Sequence, residues 1–278
     1  MNKNITVSAP AKLNLFLHIT GQREDGYHLL QTIFQFLDYA DTISLTLRED
    51  NHIYRVSDLA GVPAEDDLVV KAAKLLQSHC DCQFGVDISV DKVLPMGGGL
   101  GGGSSNAASV LVALNYLWGC GLSQQELMSL GVQLGADVPV FIFAQSAWAE
   151  GVGERLKSVD LPKKWFLVLK PQINVSTAKV FSNSQLRRDS STITIRDFLT
   201  GQTENVCERP VREMYPEVDE ALTDLAKYGE SKLTGTGACV FAAFDSKEQA
   251  EKAFSQLSKK WDGFVAKGMN QTPLKEFF

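Results

Sequence analysis

Eleven consecutive residues, Pro95, Met96, Gly97, Gly98, Gly99, Leu100, Gly101, Gly102, Gly103, Ser104 and Ser105, hold six of the chain's 22 glycines and stand between a strand pattern and a helix pattern. Residues without a Cβ let backbone N–H groups approach an anion and turn toward it, and the unpaired N–H groups of a following helix add partial positive charge. The run therefore reads as a seat for phosphate. The bland alternative is a flexible glycine-rich turn, but a linker has no reason to close on Gly-Ser-Ser at the start of a strongly apolar helix. No Gly-Lys-Ser/Thr ends the run, so it is not a Walker A loop, and no acidic residue stands at the distance of a dinucleotide fingerprint. Any lysine the chemistry uses comes from elsewhere in the chain.

Lys12 is the natural supplier, because it belongs to a strand pattern and shares a polar face with Asn14. Taken alone, such a lysine is more often a solvated strand residue. Asp137, in Leu134-Gly135-Ala136-Asp137-Val138-Pro139-Val140-Phe141, reads as a helix cap or turn residue. Its apolar neighbours raise the case for a base, since a carboxylate among them is costly unless paired. Tyr27 and His28 follow a turn at Asp25-Gly26; such a pair is either plain surface or a place for a base to stack and hydrogen-bond. Thr234-Gly235-Thr236-Gly237-Ala238-Cys239 is a second glycine turn, divided evenly between a tight bend and a ligand-facing loop.

The elements that must position these residues are legible in part. Odd positions from Ile5 to Ile19 are all apolar, the mark of a half-buried strand, with Pro10 predicting a bulge or an edge. The alternation returns at 43–47 and 84–90, and 68–76 has helical spacing. Residues 106–118 are apolar on most sides, predicting a buried helix, and Ser123 with Glu126 forms a capping box for a helix that stops at Gly135. A composition shift at 153–163 divides the chain into 1–158 and 159–278. The second part reads as strands at 165–169, 239–244 and 264–267 with helices at 216–228 and 247–260, an α+β order with helices on one face of a sheet.

A formal net charge of -6 over 278 residues argues against broad binding to nucleic acid or anionic membranes, which requires a cationic field. Five cysteines form no CxxC pair and read as reduced thiols. No signal pattern and no apolar stretch of membrane-spanning length is visible, so a cytoplasmic soluble protein is expected, a monomer or weak homodimer.

Three motifs, Ser8-Ala9-Pro10-Ala11-Lys12-Leu13-Asn14-Leu15, the glycine run continued to Asn106-Ala107, and Leu233-Thr234-Gly235-Thr236-Gly237-Ala238-Cys239, occur in the order seen in the GHMP superfamily of small-molecule kinases. The chain resembles that superfamily nearly end to end. Asp25-Gly26-Tyr27-His28, the doubled triple glycine and Leu134–Phe141 are similar to its branch that phosphorylates a cytidyl diphosphate of methylerythritol. The resemblance implies a two-domain α+β kinase fold, a ribosomal-protein-S5-like N-terminal domain and a ferredoxin-like C-terminal domain, with the active site in the cleft between them. It implies transfer of the γ-phosphoryl of ATP to the C2 hydroxyl of the methylerythritol, within the non-mevalonate route to isoprenoid precursors. The alternatives are a mevalonate or homoserine kinase, and a non-catalytic nucleotide sensor of the same fold.

Carried over by motif, Asp137 is the proton acceptor and Lys12 contacts the reacting hydroxyl and the phosphoryl. The residues 95–105 hold the phosphates, and adenine lies near Leu68 and Lys92. Tyr27 and Phe181 sandwich the cytosine, His28 hydrogen-bonds its edge, and Asn14 and Thr177 are further substrate positions. Mg²⁺ is expected with ATP, with Ser104 or Ser105 offering a hydroxyl but no protein metal cage. One departure stands out: the family usually has Asn where this chain has Asp67, which removes an amide donor.

Overall fold

The long apolar alternation near the start builds β1 (Asn4–Gln22), which pairs antiparallel with β2 (His28–Arg48) along almost its whole length. The computed structural model describes residues 3–59, 61–201 and 203–278. The chain continues through β3 (Ile53–Arg55), α1 (Leu68–His79), β4 (Gly85–Asp91), α2 (Gly102–Leu117), α3 (Gln124–Val132), α4 (Val138–Phe143), β5 (Ala147–Glu150) and β6 (Arg155–Ser158). It then forms β7 (Trp165–Lys170), α5 (Thr177–Ser182), α6 (Ile195–Leu199), α7 (Glu208–Met214), α8 (Pro216–Leu225), β8 (Lys232–Leu233), β9 (Val240–Phe244), α9 (Lys247–Leu257), β10 (Asp262–Met269) and a 3-10 turn at Pro273–Phe277.

The ladder between β1 and β2 slips between Pro10 and Lys12, where proline has no N–H to donate. The half-buried expectation for β1 is corrected: Lys12 and Asn14 are 2% and 4% exposed, so both faces are covered. β2 is much longer than the alternation at 43–47 suggests. Residues 31–37 are buried on both faces, and burial of both faces erases the period-2 signal. β1 takes one edge of β2, whereas the other edge is shared in turn by β5, β10 and β4. The sheet runs on as β10–β7–β9–β8.

Two main cores flank this sheet. The first packs α1–α4 against β1, β2 and β4, and the second packs α8 and α9 against β7 and β9. A smaller cluster, with Ala11, Leu13, Leu37, Leu94, Leu100, Phe166, Val168 and Phe241, joins them. The end of the chain returns to the first core: β10 pairs with β2 at Gly268 and Met269, Thr272 N–H donates to Ala144 O (3.0 Å), and Leu274, 1% exposed, packs among its residues.

Candidate active site

The glycine loop ends earlier than its composition suggests. α2 begins at Gly102 rather than at 106, so Gly102, Gly103, Ser104 and Ser105 form its first turn. Gly101 caps the helix in the left-handed region (φ 71°) with no side-chain cap, leaving the orphan N–H groups of that turn beside the cleft. The loop is pinned at its one large apolar residue, Leu100, which is 1% exposed; burial of such a side chain contributes about 2 kcal/mol. Gly99 needs its lack of a side chain on two counts: φ is +75°, and a Cβ would stand 2.3 Å from Thr234 O.

Beneath the loop, the fully buried Asp41 carboxylate accepts from Val93 N–H (2.8 Å), Leu94 N–H (2.7 Å) and Asn106 Nδ2 (2.9 Å). Lys92 Nζ also donates to Asp41 and to Asn106 Oδ1 (2.9 Å). Lys92 thus ties the entry of the loop to α2 while bordering the cleft.

Lys12 reaches the same place from β1. Its Nζ donates to Asn14 Oδ1 (2.5 Å) and to Gly99 O (3.1 Å), lies 3.3 Å from Asp137 Oδ2, and sits 5.4 Å from the centre of the Phe34 ring. Asn14 is held in turn by Thr32 Oγ1, which accepts from its Nδ2 (2.9 Å), and by its own N–H donating to Thr234 Oγ1 (3.0 Å). Asp137 precedes α4, whose Val138, Val140 and Phe141 are buried in the first core. The expectation of a carboxylate enclosed by apolar neighbours is corrected: those side chains turn inward, while the Asp137 side chain is 38% exposed toward the cleft and paired with Lys12.

The cleft has a volume of about 590 Å³, and the residues 95–104, Lys12, Asn14, Leu68, Lys92, Asp137, Thr177 and Phe181 all line it. Ser105 does not; its side chain is fully buried within α2, so of the two serines only Ser104 faces the cleft. Tyr27 and His28 do not line it either. Tyr27 is 61% exposed, and Phe181 stacks on His28 with ring centres 4.9 Å apart at 30°. Tyr27 and Phe181 are not in contact with each other, and one face of Phe181 is covered by His28, the first residue of β2 rather than a loop residue. Burial, and secondarily the Arg188 guanidinium, lowers the His28 pKa below its usual value.

Several contributors escaped the motif reading. Asp41 and Arg188 lie in stretches with no motif at all. Gly235, Thr236 and Gly237 line the cleft, and Thr236 Oγ1 hydrogen-bonds Thr177 Oγ1 (2.9 Å), so the second glycine turn faces the cleft. The Asp67 departure also has a physical context. Its Oδ1 caps α1 by accepting from Val69 N–H (3.1 Å), and its Oδ2 accepts from the buried Arg55 Nη1 (2.7 Å), whose Nη2 donates to Val62 O (2.8 Å). Cys239, whose thiol is pushed up to about 12 by burial, serves as packing: a Cβ at Gly98 would lie 2.7 Å from its Sγ.

A larger hollow of about 760 Å³ lies among Glu204, Glu208, Arg212 and Lys232, but there Arg212 pairs with Glu208 and Asp219, and Lys232 with Glu230. It offers a phosphate no uncommitted cluster of cations. The described residues contain no group of three or more His, Cys, Asp or Glu able to hold a metal ion.

Residues 67–145 match the family model described as GHMP kinases N terminal domain, and residues 186–263 match GHMP kinases C terminal. A 4-diphosphocytidyl-2-C-methyl-D-erythritol kinase of Mannheimia succiniciproducens is 53% identical over 265 residues, 95% of this chain and 88% of that one. The chain belongs to the GHMP kinase family. Within this family a crystal structure of 4-(cytidine 5'-diphospho)-2C-methyl-D-erythritol kinase superposes with a TM-score of 0.82 at 30% identity, covering 95% of this chain and 99% of that one. A homoserine kinase from Cytophaga hutchinsonii, with a TM-score of 0.73 at 16% identity over 98% of this chain and 96% of its own, shares the fold alone. The α+β architecture is that of a GHMP kinase, with N- and C-terminal domains.

Proposed function

We propose that the protein transfers the γ-phosphoryl of ATP to the C2 hydroxyl of 4-diphosphocytidyl-2-C-methyl-D-erythritol, supplying isoprenoid precursors by the non-mevalonate route. The observation that carries the reading is the Lys12–Asp137 pair, 3.3 Å apart, at the end of a glycine loop whose helix leaves its first N–H groups uncapped. That pairing also counts against a non-catalytic sensor, which needs neither residue, and 53% identity to a kinase of this acceptor counts against mevalonate and homoserine.

Phosphoryl transfer is chiefly positioning and neutralisation of charge. The loop and the first turn of α2 would hold the α- and β-phosphates, with Leu68 and Lys92 toward the adenine. Asp137 would accept the proton from the attacking hydroxyl, and Lys12, steadied by Asn14 and Gly99 O, would stabilise the negative charge on the hydroxyl and the departing phosphoryl. Thr177, Phe181 and His28 would receive the cytidyl end, with Tyr27 closing over the base from its exposed turn. Mg²⁺ bound to ATP supplies further charge neutralisation when present; Ser104, a hard oxygen donor lining the cleft, fits it, with phosphate oxygens and water completing its shell.

The division at 158/159 is part of the same reading and falls between the stretches 67–145 and 186–263 that match the two family models, while Leu17 and Ile19 pack into the second core and Leu274 into the first. No helix among the described residues is long and apolar enough to cross a membrane, and all five cysteines are thiols, which accords with a cytoplasmic enzyme. An ADP-release assay offering the cytidyl methylerythritol, mevalonate and homoserine tests the acceptor. Turnover of the first is expected, and activity on mevalonate or homoserine alone would overturn the assignment.

A further inference from the structure

Arg188 is absent from the motifs, yet it organises the cytidyl end of the cleft. Its Nη2 donates to Phe181 O (2.5 Å) and Asn183 O (3.1 Å), and its Nη1 donates to Leu186 O (3.1 Å). These bonds fix the guanidinium against the turn that follows α5. Its Nε–H meets His28 Nε2 at 3.2 Å. A guanidinium nitrogen can only donate, so the imidazole nitrogen it meets must carry the lone pair. A neutral imidazole then holds its one proton on Nδ1. A doubly protonated ring would set a hydrogen against Nε–H, and burial beside the cationic Arg188 lowers the His28 pKa in the same sense.

We propose that Arg188 is a positioning residue that locks His28 as the Nδ1–H tautomer, so that the site presents a donor to the base and selects cytosine over uracil. The argument is one of edges. Cytosine N3 is a bare acceptor, whereas uracil N3 bears a hydrogen, so an Nδ1–H donor pairs with the first and opposes the second. The Phe181 ring stacked on His28 restrains the imidazole, and Arg188 holds Phe181 through its carbonyl, so one side chain sets both the stacking surface and the hydrogen-bond pattern.

The selectivity part of this inference rests on the cytidyl acceptor proposed above, whereas the tautomer is a property of the protein by itself. Protein labelled with ¹⁵N-histidine, without added nucleotide, is compared with Arg188→Met and Arg188→Lys by long-range ¹H–¹⁵N correlation, with His28→Gln assigning the signal. The expected wild-type pattern is a protonated Nδ1 and a bare Nε2, lost in Arg188→Met and largely retained in Arg188→Lys, which keeps a cationic donor. ADP release with cytidyl and uridyl forms of the substrate then reads selectivity. Arg188→Met is expected to lower the cytidyl preference about tenfold, the discrimination of one hydrogen bond, read in KM for the cytidyl form, with the KM for ATP unchanged. A wild-type His28 protonated on Nε2, or an unaltered tautomer in Arg188→Met, overturns the lock. A shifted tautomer with an unchanged cytidyl-to-uridyl ratio overturns the base reading, and failure of Arg188→Lys to rescue either readout marks a merely structural arginine. Wild-type protein that turns over neither form refutes the kinase reading itself, a result distinct from the tautomer.

Discussion

The two ends of the cleft are built on different plans. The proposed phosphate end is a contiguous stretch of backbone, pinned by Leu100, abutting Thr234 O at Gly99 and anchored from below by Asp41. The proposed cytidyl end is an assembly of side chains from two distant segments, Tyr27 and His28 at the turn into β2 and Thr177, Phe181 and Arg188 around α5, partly exposed and tied together by single contacts. Backbone donors cannot be exchanged by substitution, so the first plan is fixed by the fold. Side chains can be exchanged without disturbing the sheet, so the second plan lets the same scaffold choose an acceptor.

If that contrast is right, damage at the junction and the phosphate end should act on chemistry, and damage at the cytidyl end on one substrate's KM. The largest effect is expected at the junction itself: Asp137→Asn should lower kcat by about two to four orders of magnitude while calorimetry shows unchanged ATP affinity. Near wild-type turnover would remove Asp137 from its role. Gly99→Ala places a Cβ against Thr234 O in a left-handed conformation and should lower kcat/KM for ATP about 100-fold, the cost of moving the phosphate seat by roughly an ångström. An unaffected ATP parameter there would mean that the loop yields freely. Phe181→Ala should raise KM for the cytidyl substrate by about 5- to 100-fold, stacking being worth about 1–3 kcal/mol per base, with the KM for ATP unchanged; the exposed Tyr27→Ala should do the same more weakly. Both KM values moving together would erase the contrast. Smallest in kinetics is Asp67→Asn, which keeps an oxygen for the cap but strips Arg55 of its counter-ion: thermal unfolding should show a loss of about 1–3 kcal/mol, with KM for ATP rising only a few-fold.

The glycine loop at the cleft was legible in the chain because backbone chemistry leaves a composition behind: six glycines around one leucine can be read directly. Lys12 and Asp137 were legible only through motif resemblance, since a strand lysine and a turn aspartate are ordinary, and their 3.3 Å approach is a tertiary fact. Where the reading failed, burial of both faces was the reason. The middle of β2 shows no alternation because neither face meets water, and Asp41, its buried carboxylate, looks like any loop aspartate in a list of residues. Phe181 was named through the family resemblance, but its stacking on His28 and the hold of Arg188 depend on contacts 153 to 160 residues apart along the chain, which no local pattern encodes.

The return of the chain's last strand and turn to the first core bears on how the molecule is made. Lys12, the glycine loop and Asp137 are all synthesised well before Leu274, yet the helix that begins at Gly102 is backed by a core that Leu274 helps to close. A growing chain that already carries Lys12, the glycine loop and Asp137 still has an unsealed seam behind them, an exposed apolar surface of the kind on which partly made proteins aggregate. The packing behind the glycine loop is thus completed by residues far downstream of it.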